Sequence, residues 1–330
     1  MHYNFPAFRP LNAGYTENKH TMQIQWYPGH MYKANKEFKK VLPKIDVIIE
    51  ILDARLPYSS ENPMVAELRG DKPCIKILNK SDLADPERVQ EWQDYLEQQD
   101  SIKTLSVTMN EPDKIKQIPA LCRKLAPEKA KKDRGVHAMI MGIPNVGKST
   151  LINILAGKKI AKTGNEPAVT KHQQRIDLNN GVVLLDTPGV LWPNIENEHS
   201  GYRLAATGAI KDTAITYDDI AFYAAEYLLP NYPESLKERF QLDELPETEM
   251  EFMEVIGKKR GCLRAGGNLD LEKISKIFIG ELRSGGLGRI TLETPSMMEV
   301  EKQAVEVKRA KKKAKEEAQK KKNKKKKRRR

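Results

Sequence analysis

The sequence has few cysteines and no long apolar stretch. Cys74, Cys122 and Cys262 are the only thiols among 330 residues, and none belongs to a CxxC pair. A disulfide-stabilised scaffold and a cysteine-ligated zinc site are therefore excluded, and we expect reduced thiols in a cytoplasmic protein. No run of about 18 apolar residues occurs, which excludes a transmembrane helix and predicts no membrane partner.

The N-terminal end has no early basic cluster and no contiguous apolar region, so it does not resemble an export signal. Its polar, turn-rich composition predicts a disordered extension over residues 1–21. Met22 directly precedes the first patterned segment, and an alternative start of the chain there is a hypothesis.

The positive charge is concentrated at the other end of the chain. The formal net charge is +12, with 57 basic and 45 acidic side chains. Residues 301–330 hold 17 of the basic and 4 of the acidic side chains, so the rest of the protein is nearly neutral. This composition predicts a disordered polybasic tail over residues 299–330, whose charge suits a salt-sensitive tether to RNA.

Short apolar runs alternate with amphipathic stretches in the first two thirds of the chain. This pattern predicts an α/β fold with a mostly parallel sheet and helices on both faces. The predicted strands cover residues 46–52, 74–78, 104–107, 137–141, 173–178 and 182–185, the last two forming a hairpin around Asn179-Asn180-Gly181. The later pattern is helical, so we predict an α/β domain over 22–205 and a small all-helical domain over 206–298.

The strongest motif runs from Gly142 to Ser149 and matches GxxxxGK[ST]. It follows a predicted strand and opens a helical stretch, which is the context that a phosphate-binding loop requires. Its backbone N–H groups and the following helix N-terminus would hold phosphate oxygens. Lys148 would reach the β- and γ-phosphates, and the Ser149 hydroxyl would ligate Mg²⁺. The residues predicted to bind nucleotide here are Asn145, Val146, Gly147, Lys148, Ser149 and Thr150.

Two downstream features complete a phosphate site. Asp186-Thr187-Pro188-Gly189 closes a predicted strand, so Asp186 would hold Mg²⁺ through water and the Gly189 N–H would face the γ-phosphate. Thr170 lies between the two motifs and is the expected second protein ligand of Mg²⁺.

Base selection is assigned to Asn79-Lys80-Ser81-Asp82. The Asp82 carboxylate accepts hydrogen bonds from guanine N1–H and N2–H₂, which adenine does not offer. Asn79 would brace the pocket and contact N7, the Lys80 stem would lie along the purine, and Ser106 would supply a second loop. Together with the phosphate loop, this motif favours GTP.

The base-reading motif precedes the phosphate motif, the reverse of the order in ordinary GTPases. A circular permutation explains this order, because the ends of such a sheet lie at the surface and the chain can be reconnected. The segment after Gly189, which responds to the γ-phosphate, then leads directly into the helical residues.

With these motifs the sequence closely resembles the ribosome biogenesis GTPase A family, whose members act in late assembly of the large ribosomal subunit. The resemblance covers about residues 22–295. It rests on the motifs above together with Trp26 to Met31, Asp53 to Pro57, Gly257 to Gly261 and Gly285 to Arg289. It implies a permuted P-loop GTPase that binds GTP and GDP, acts on the large-subunit precursor and its rRNA, and is monomeric away from the ribosome.

The resemblance also implies the catalytic arrangement. Val190 and Leu191 follow Gly189 where many GTPases place a water-orienting Gln, and neither can orient water by hydrogen bonding. The resemblance implies that another group serves, and His30 is the candidate, alongside Lys148 and Thr170; the alternative is a loop histidine that only packs or contacts RNA. Asn145 resembles the residue that coordinates K⁺ in potassium-activated GTPases, so K⁺ is expected as a second cofactor.

A cluster of basic side chains lies near glycine-rich turns in the helical region. It consists of Lys258, Lys259, Arg260, Arg264, Arg283 and Arg289. We predict that these side chains contact the phosphate backbone of structured RNA, with a solvated basic face as the alternative. Two other functions remain open: a permuted GTPase that acts on the small subunit or another RNA, and an RNA-binding protein whose nucleotide site is only structural.

Overall fold

The computed structural model describes residues 24–132, 134–160 and 174–327. The predicted N-terminal extension and Thr170 lie outside the described residues. The chain divides into two units, of which one extends to Glu293 and the other contains the residues from Thr294 onward.

Among the described residues, a six-stranded sheet organises the larger unit. Its strands are β1 (Val47–Asp53), β2 (Cys74–Asn79), β3 (Ile102–Ser106), β4 (Val136–Gly142), β5 (Gln174–Asp177) and β6 (Val182–Asp186). Their order is β3-β2-β1-β4-β6-β5, and all neighbours are parallel except β5 and β6. The predicted α/β class, the strands and the hairpin are therefore confirmed.

Burial explains why these segments form strands. Every residue of β1 and β2 is buried, as expected for central strands of a parallel sheet that is covered on both faces. At the edge, β5 buries only Ile176. The turn between β5 and β6 places Asn179 at φ 54° and Gly181 at φ 81°, residue types that tolerate the left-handed region.

Helices cover the sheet. They are α1 (Gly29–Val41), α2 (Pro57–Ser60), α3 (Pro63–Arg69), α4 (Pro86–Leu96), α5 (Pro112–Ile115), α6 (Ile118–Leu125), α7 (Pro127–Ala130) and α8 (Lys148–Ala156). Proline occupies the first turn of α2 to α7, where its missing N–H costs no helical hydrogen bond. Pro119 lies in the first turn of α6, so α5 and α6 are separate helices.

The part of the larger unit that follows the sheet is helical. Its helices are α9 (Glu198–Ala206), α10 (Tyr217–Asn231), α11 (Pro233–Phe240), α12 (Glu249–Lys259) and α13 (Leu271–Ser284). Phe240, Phe252 and Phe278 form their aromatic core, with ring centroids 5.7–6.3 Å apart. These helices belong to the same compact unit as the sheet, and the predicted domain boundary between residues 205 and 206 falls at the end of α9.

Where the sequence predicts a disordered tail, the structure has a helix, α14 (Pro295–Lys327). Lys, Arg, Ala and Glu are strong helix formers, so this composition supports a local helix even though it offers few apolar side chains to a core. No helix among the described residues is long and apolar enough to cross a membrane.

Candidate nucleotide-binding site

The predicted nucleotide-binding residues gather at the edge of the sheet where the parallel strands end. In the strand register Leu78 pairs with Ser106, and Ile140 pairs with Asp186. The chain leaves β1 for β2 on one side and returns with β4 on the other. The ends of β1 and β4 therefore form a topological switch point, where α/β sheets bind ligands.

The phosphate-binding loop connects β4 to α8 in a conformation that only its sequence permits. Gly147 has φ 96°, and a Cβ atom there would lie 2.3 Å from Nδ2 of Asn79. Asn145 also has a positive φ, of 58°. The loop leads into the N-terminus of α8, so backbone N–H groups and the helix dipole favour an anion at this point.

Lys148 and Asp186 form a buried ion pair across this loop. Burial lowers the pKa of Lys148 and raises the pKa of Asp186, although the attraction between the two charges opposes both shifts. The Asp186 Oδ1 atom accepts from Lys148 Nζ, while its Oδ2 atom is buried and has no hydrogen-bond partner among the described residues. A buried acceptor of this kind fits a water ligand of Mg²⁺.

Ser149 supplies the second feature of the predicted magnesium site. It lies in the first turn of α8, directly after Lys148, and its hydroxyl makes no hydrogen bond in the described part of the chain. Within that part, no group of three or more His, Cys, Asp or Glu side chains could hold a metal. The predicted Mg²⁺ site needs no such group, because substrate phosphates and water would complete its coordination.

Asn79 joins the base-reading motif to the phosphate-binding loop. Its Nδ2 atom donates a hydrogen bond of 2.6 Å to the carbonyl oxygen of Val146, which leaves the second amide N–H for the predicted contact with guanine N7. Ser81 N donates to the carbonyl oxygen of Val107, so the loops after β2 and β3 are held together. The Asp82 side chain is exposed at the end of this motif, as a base-binding carboxylate requires.

Lys80 is anchored by a charge network that the sequence reveals only in part. Its Nζ atom lies 2.9 Å from Asp53, which also accepts two hydrogen bonds of 2.8 and 2.9 Å from the Arg55 guanidinium. Burial alone would raise the pKa of Asp53, but these two cations hold it well below its usual range. An ion pair between Asp53 and Arg55 follows from their proximity in sequence, whereas the link to Lys80 depends on the adjacent ends of β1 and β2.

Helical residues hold this network and the base-reading loop from the other side. Arg55 Nη1 donates to the carbonyl oxygens of Leu282 and Arg283 at the end of α13, at 3.4 and 3.3 Å. Arg289 donates to the carbonyl oxygens of Ser81 and Ala84, both at 3.0 Å. The base-reading loop is thus bonded to the segment that follows α13.

The segment after β6 packs directly on the phosphate-binding loop. A Cβ atom at Gly189 would lie 3.2 Å from Cα of Pro144, and Val190 N donates to the carbonyl oxygen of Gly142. On the other side of the loop, Asn145 Nδ2 donates to the carbonyl oxygen of Gly208, beyond α9, at 2.8 Å. Both contacts connect the phosphate-binding loop to the chain that leads into the helical residues.

The N-terminal segment is attached to the chain that follows Gly189. Leu191 N donates to Sδ of Met31 at 3.4 Å, and the Gln25 carboxamide makes two hydrogen bonds with the backbone of Ile195, at 3.1 and 3.3 Å. His30 is exposed in the first turn of α1 and directly precedes Met31. The sequence contains no signal for the Gln25 and Met31 contacts, which join segments about 160 residues apart in the chain.

The predicted RNA-binding cations are already engaged within the protein. Four pair with acidic side chains: Lys258 with Glu254, Arg260 with Glu281, Arg264 with Asp270 and Arg283 with Asp212. Lys259 donates to the carbonyl oxygens at the end of α11, and Arg289 is bonded to the base-reading loop as described. Their binding of RNA stays a prediction.

Comparison with known proteins identifies what the chain is similar to. A family model described as 50S ribosome-binding GTPase matches residues 137–244. Ribosome biogenesis GTPase A of Priestia megaterium is 48% identical over 286 residues, which cover 84% of this chain and 99% of that protein. The protein of the same name from Thermotoga maritima is 33% identical over 272 residues, covering 82% of this chain and 95% of the relative.

Solved structures show the same similarity. The GDP-bound structure of Thermotoga maritima YlqF aligns with a TM-score of 0.57 and 29% identity, covering 79% of this chain and 99% of that chain. The GNP-bound structure of YlqF from the same organism aligns with a TM-score of 0.56, covering 80% and 98%.

Proposed function

This chain belongs to the ribosome biogenesis GTPase A family, and we propose that it hydrolyses GTP on the maturing large ribosomal subunit and leaves the particle after hydrolysis. The observation that carries the proposal is the single edge of the sheet at which Asn79, the phosphate-binding loop and Asp186 meet. We also propose that the protein is cytoplasmic and is monomeric away from the ribosome.

Nucleotide binding rearranges the buried ion pair in this proposal. Lys148 exchanges its contact with Asp186 for the β- and γ-phosphate oxygens, which leaves the Asp186 carboxylate free to accept hydrogen bonds from metal-bound water. Ser149 and Thr170 would hold Mg²⁺ directly, and the ion when bound neutralises charge on the phosphate oxygens. Asn145 would hold K⁺, which supplies a further positive charge beside the phosphates.

His30 is proposed to orient the attacking water, because Val190 and Leu191 offer no side-chain hydrogen bond where a Gln would otherwise serve. Its imidazole can accept a hydrogen bond from that water. The contacts of Met31 with Leu191 and of Gln25 with Ile195 support this role, since they attach the His30 segment to the chain that follows Gly189. Without the particle, the exposed His30 is not held in place, and hydrolysis is slow.

Release follows from the same connections. When the γ-phosphate is lost, the segment around Gly189 relaxes, and this segment continues into the helical residues. The hydrogen bonds from Asn145 to Gly208 and from Arg55 to the end of α13 transmit the change to the helices, which carry predicted RNA contacts. GTP thereby favours the ribosome-binding conformation and GDP disfavours it.

Hydrolysis measured with purified subunits tests the proposal. We expect large subunits to stimulate GTP hydrolysis, small subunits to have no effect, and K⁺ to support a higher rate than Na⁺. Stimulation by small subunits or by an unrelated RNA would favour the permuted GTPase with another target. Absence of hydrolysis under all conditions would favour an RNA-binding protein with a structural nucleotide site.

The His30→Ala variant tests the catalytic residue separately. We expect subunit-stimulated turnover to fall by about 10²–10⁴-fold, the usual contribution of a positioned acid or base, with unchanged affinity for GDP. Turnover equal to that of the unmodified protein would exclude the role of His30 and leave the rest of the proposal intact.

A further inference from the structure

Helix α1 presents a row of lysines to solvent on the side away from its packed face. Lys33, Lys36, Lys39 and Lys40 are exposed, whereas Met31, Ala34, Asn35 and Phe38 are buried against the protein. The spacing of three and four residues places the lysines on one face of the helix. Tyr32 lies on the same face and is 64% exposed.

These lysines have no ion-pair partner among the described residues, unlike the cations of the helical region. Glu37 is the only acidic side chain on α1, and the structure pairs it with none of them. Lys39 and Lys40 lie in the last turn, where a cation stabilises the helix dipole. That benefit does not extend to Lys33 and Lys36, so the folding of the helix does not explain the whole row.

The row continues beyond the end of α1. Lys44 ends the short 3-10 helix Leu42–Lys44 and lines a groove of about 630 Å³ at the amino-terminal edge of the sheet. Lys129 lines the same groove, and neither lysine is ion-paired in the described part of the chain. Unpaired positive charge thus extends from Lys33 to Lys40, about 10 Å along α1, and on to Lys44 and Lys129 in this groove.

We infer that the exposed face of α1, with Lys33, Lys36, Lys39, Lys40 and Tyr32, binds the phosphate backbone of structured RNA. Unpaired lysines attract phosphates without first breaking internal ion pairs, and an exposed tyrosine stacks on an unpaired base. A membrane surface is disfavoured, because the apolar face that would enter lipid is buried in the protein.

This surface adds a partner contact to the proposed function. The inference rests on that function where it names ribosomal RNA as the partner. Because His30 lies in the first turn of α1, RNA held along the helix restrains the element that carries the proposed catalytic side chain. Docking and stimulation of hydrolysis then depend on one helix of the GTPase portion, in addition to the predicted contacts of the helical region.

The experiment compares two triple variants of the full chain that lose the same charge. Lys33→Ala/Lys36→Ala/Lys40→Ala removes the row, whereas Lys114→Ala/Lys116→Ala/Lys131→Ala removes exposed lysines that each pair with an acidic residue three positions earlier. Alanine preserves helix propensity, and both variants keep the C-terminal tail. Binding is measured to protein-free large-subunit rRNA and to large subunits, between about 50 and 200 mM salt.

We expect the α1 variant to bind rRNA at least about tenfold more weakly, with a salt slope reduced by about 2 to 3 units, and the control to bind normally. GDP affinity and basal hydrolysis should be unchanged in both. Lys33→Arg/Lys36→Arg/Lys40→Arg should retain binding, because it retains the charge. Equal rRNA binding by the α1 and control variants would overturn the inference. So would an α1 variant that loses binding to anionic vesicles but keeps its binding to rRNA.

The two proposals fail in different ways. If the unmodified protein binds rRNA through α1 but neither binds large subunits nor is stimulated by them, the surface stands and the proposed function fails. If subunit-stimulated hydrolysis is normal in the α1 variant and its rRNA binding is unaffected, the function stands and the surface does not.

Discussion

The Asn79 side chain donates a hydrogen bond of 2.6 Å to the carbonyl oxygen of Val146, and this bond joins the two halves of the nucleotide site. The two residues lie 67 positions apart, on opposite sides of the permutation. Because the bond connects the base-reading strand to the phosphate-binding loop, a displacement of either motif alters the position of the other.

Gly147→Ala tests this contact. A Cβ atom there would lie 2.3 Å from Nδ2 of Asn79, and φ 96° is unfavourable for alanine. We expect affinity for a fluorescent GDP analogue to fall at least about tenfold and stability by about 1–3 kcal/mol. Gly157→Ala is the matched control, since Gly157 also has a positive φ but no atom within 4 Å. Equal nucleotide affinity in the two variants would show that the contact is dispensable.

Asp186→Asn tests the resting ion pair with Lys148. The amide keeps the shape of the side chain but loses the charge that would hold metal-bound water, so we expect hydrolysis to fall by about 10²-fold. GTP affinity should lose most of its dependence on Mg²⁺, as measured by titration with and without the ion. Asp177→Asn, on the exposed face of the neighbouring strand β5, serves as control and should behave like the unmodified protein.

Arg55→Ala tests the network beneath the base-reading loop. The substitution leaves the buried Asp53 with Lys80 as its one charged hydrogen-bond donor and deprives two carbonyl groups of a donor. We expect a loss of about 3–5 kcal/mol in the free energy of unfolding, measured with urea. Arg55→Lys should recover only part of it, because lysine lacks the bidentate guanidinium. Arg88→Ala removes an exposed ion pair with Glu91 and should cost at most about 1 kcal/mol.

Removal of residues 301–330 tests the tether role of the tail. We expect weaker binding to large subunits, mostly at moderate salt, with unchanged basal hydrolysis, because the tail contributes charge and no part of the nucleotide site. Replacing the lysines of 311–327 by glutamine keeps the length and should reproduce most of the loss. Subunit binding that is the same with and without the tail at every salt concentration would contradict the tether.

Backbone requirements explain why so much of the site is predictable from sequence. A loop that curls around phosphate needs glycine at Gly147 and a following helix, and buried parallel strands need continuous apolar runs, so both leave a local pattern. The start of α1 has no capping side chain at Pro28 and no acidic residue in its first turn, so the local signals of a helix N-terminus are missing, and the sequence does not predict this helix.

The partners of buried and half-buried charges are less predictable. Arg283 and Arg289 look like other exposed cations in the sequence, yet they bond to carbonyl groups more than 70 and 200 positions away. Such pairs form only after distant segments have packed, so residue type and spacing do not predict them. The same reason applies to Gln25, because no sequence motif predicts its contact with Ile195.

Glu50 gives the protein a pH-dependent stability that can be tested in isolation from function. This carboxyl group is buried within β1, and burial together with the nearby Glu61 raises its pKa to about 7, despite the opposing charge of Lys76. In the unfolded chain the same group has a pKa of about 4.5. The folded state therefore keeps a proton that the unfolded state loses, so the stability that Glu50 contributes is present below about pH 4.5 and is lost as pH rises through about 7.

We expect Glu50→Gln to remove this slope, which is at most about 1.4 kcal/mol per pH unit, while its Oε1 atom still accepts from Asn62 N. Urea unfolding at several values between about pH 5 and 7.5 measures the effect.

Glu97→Gln is the control. Although burial opposes it, bonds from Thr104 and Lys103 lower the pKa of Glu97, so its contribution is lost only at lower pH. A slope in Glu50→Gln equal to that of the unmodified protein would mean that another buried group binds the proton.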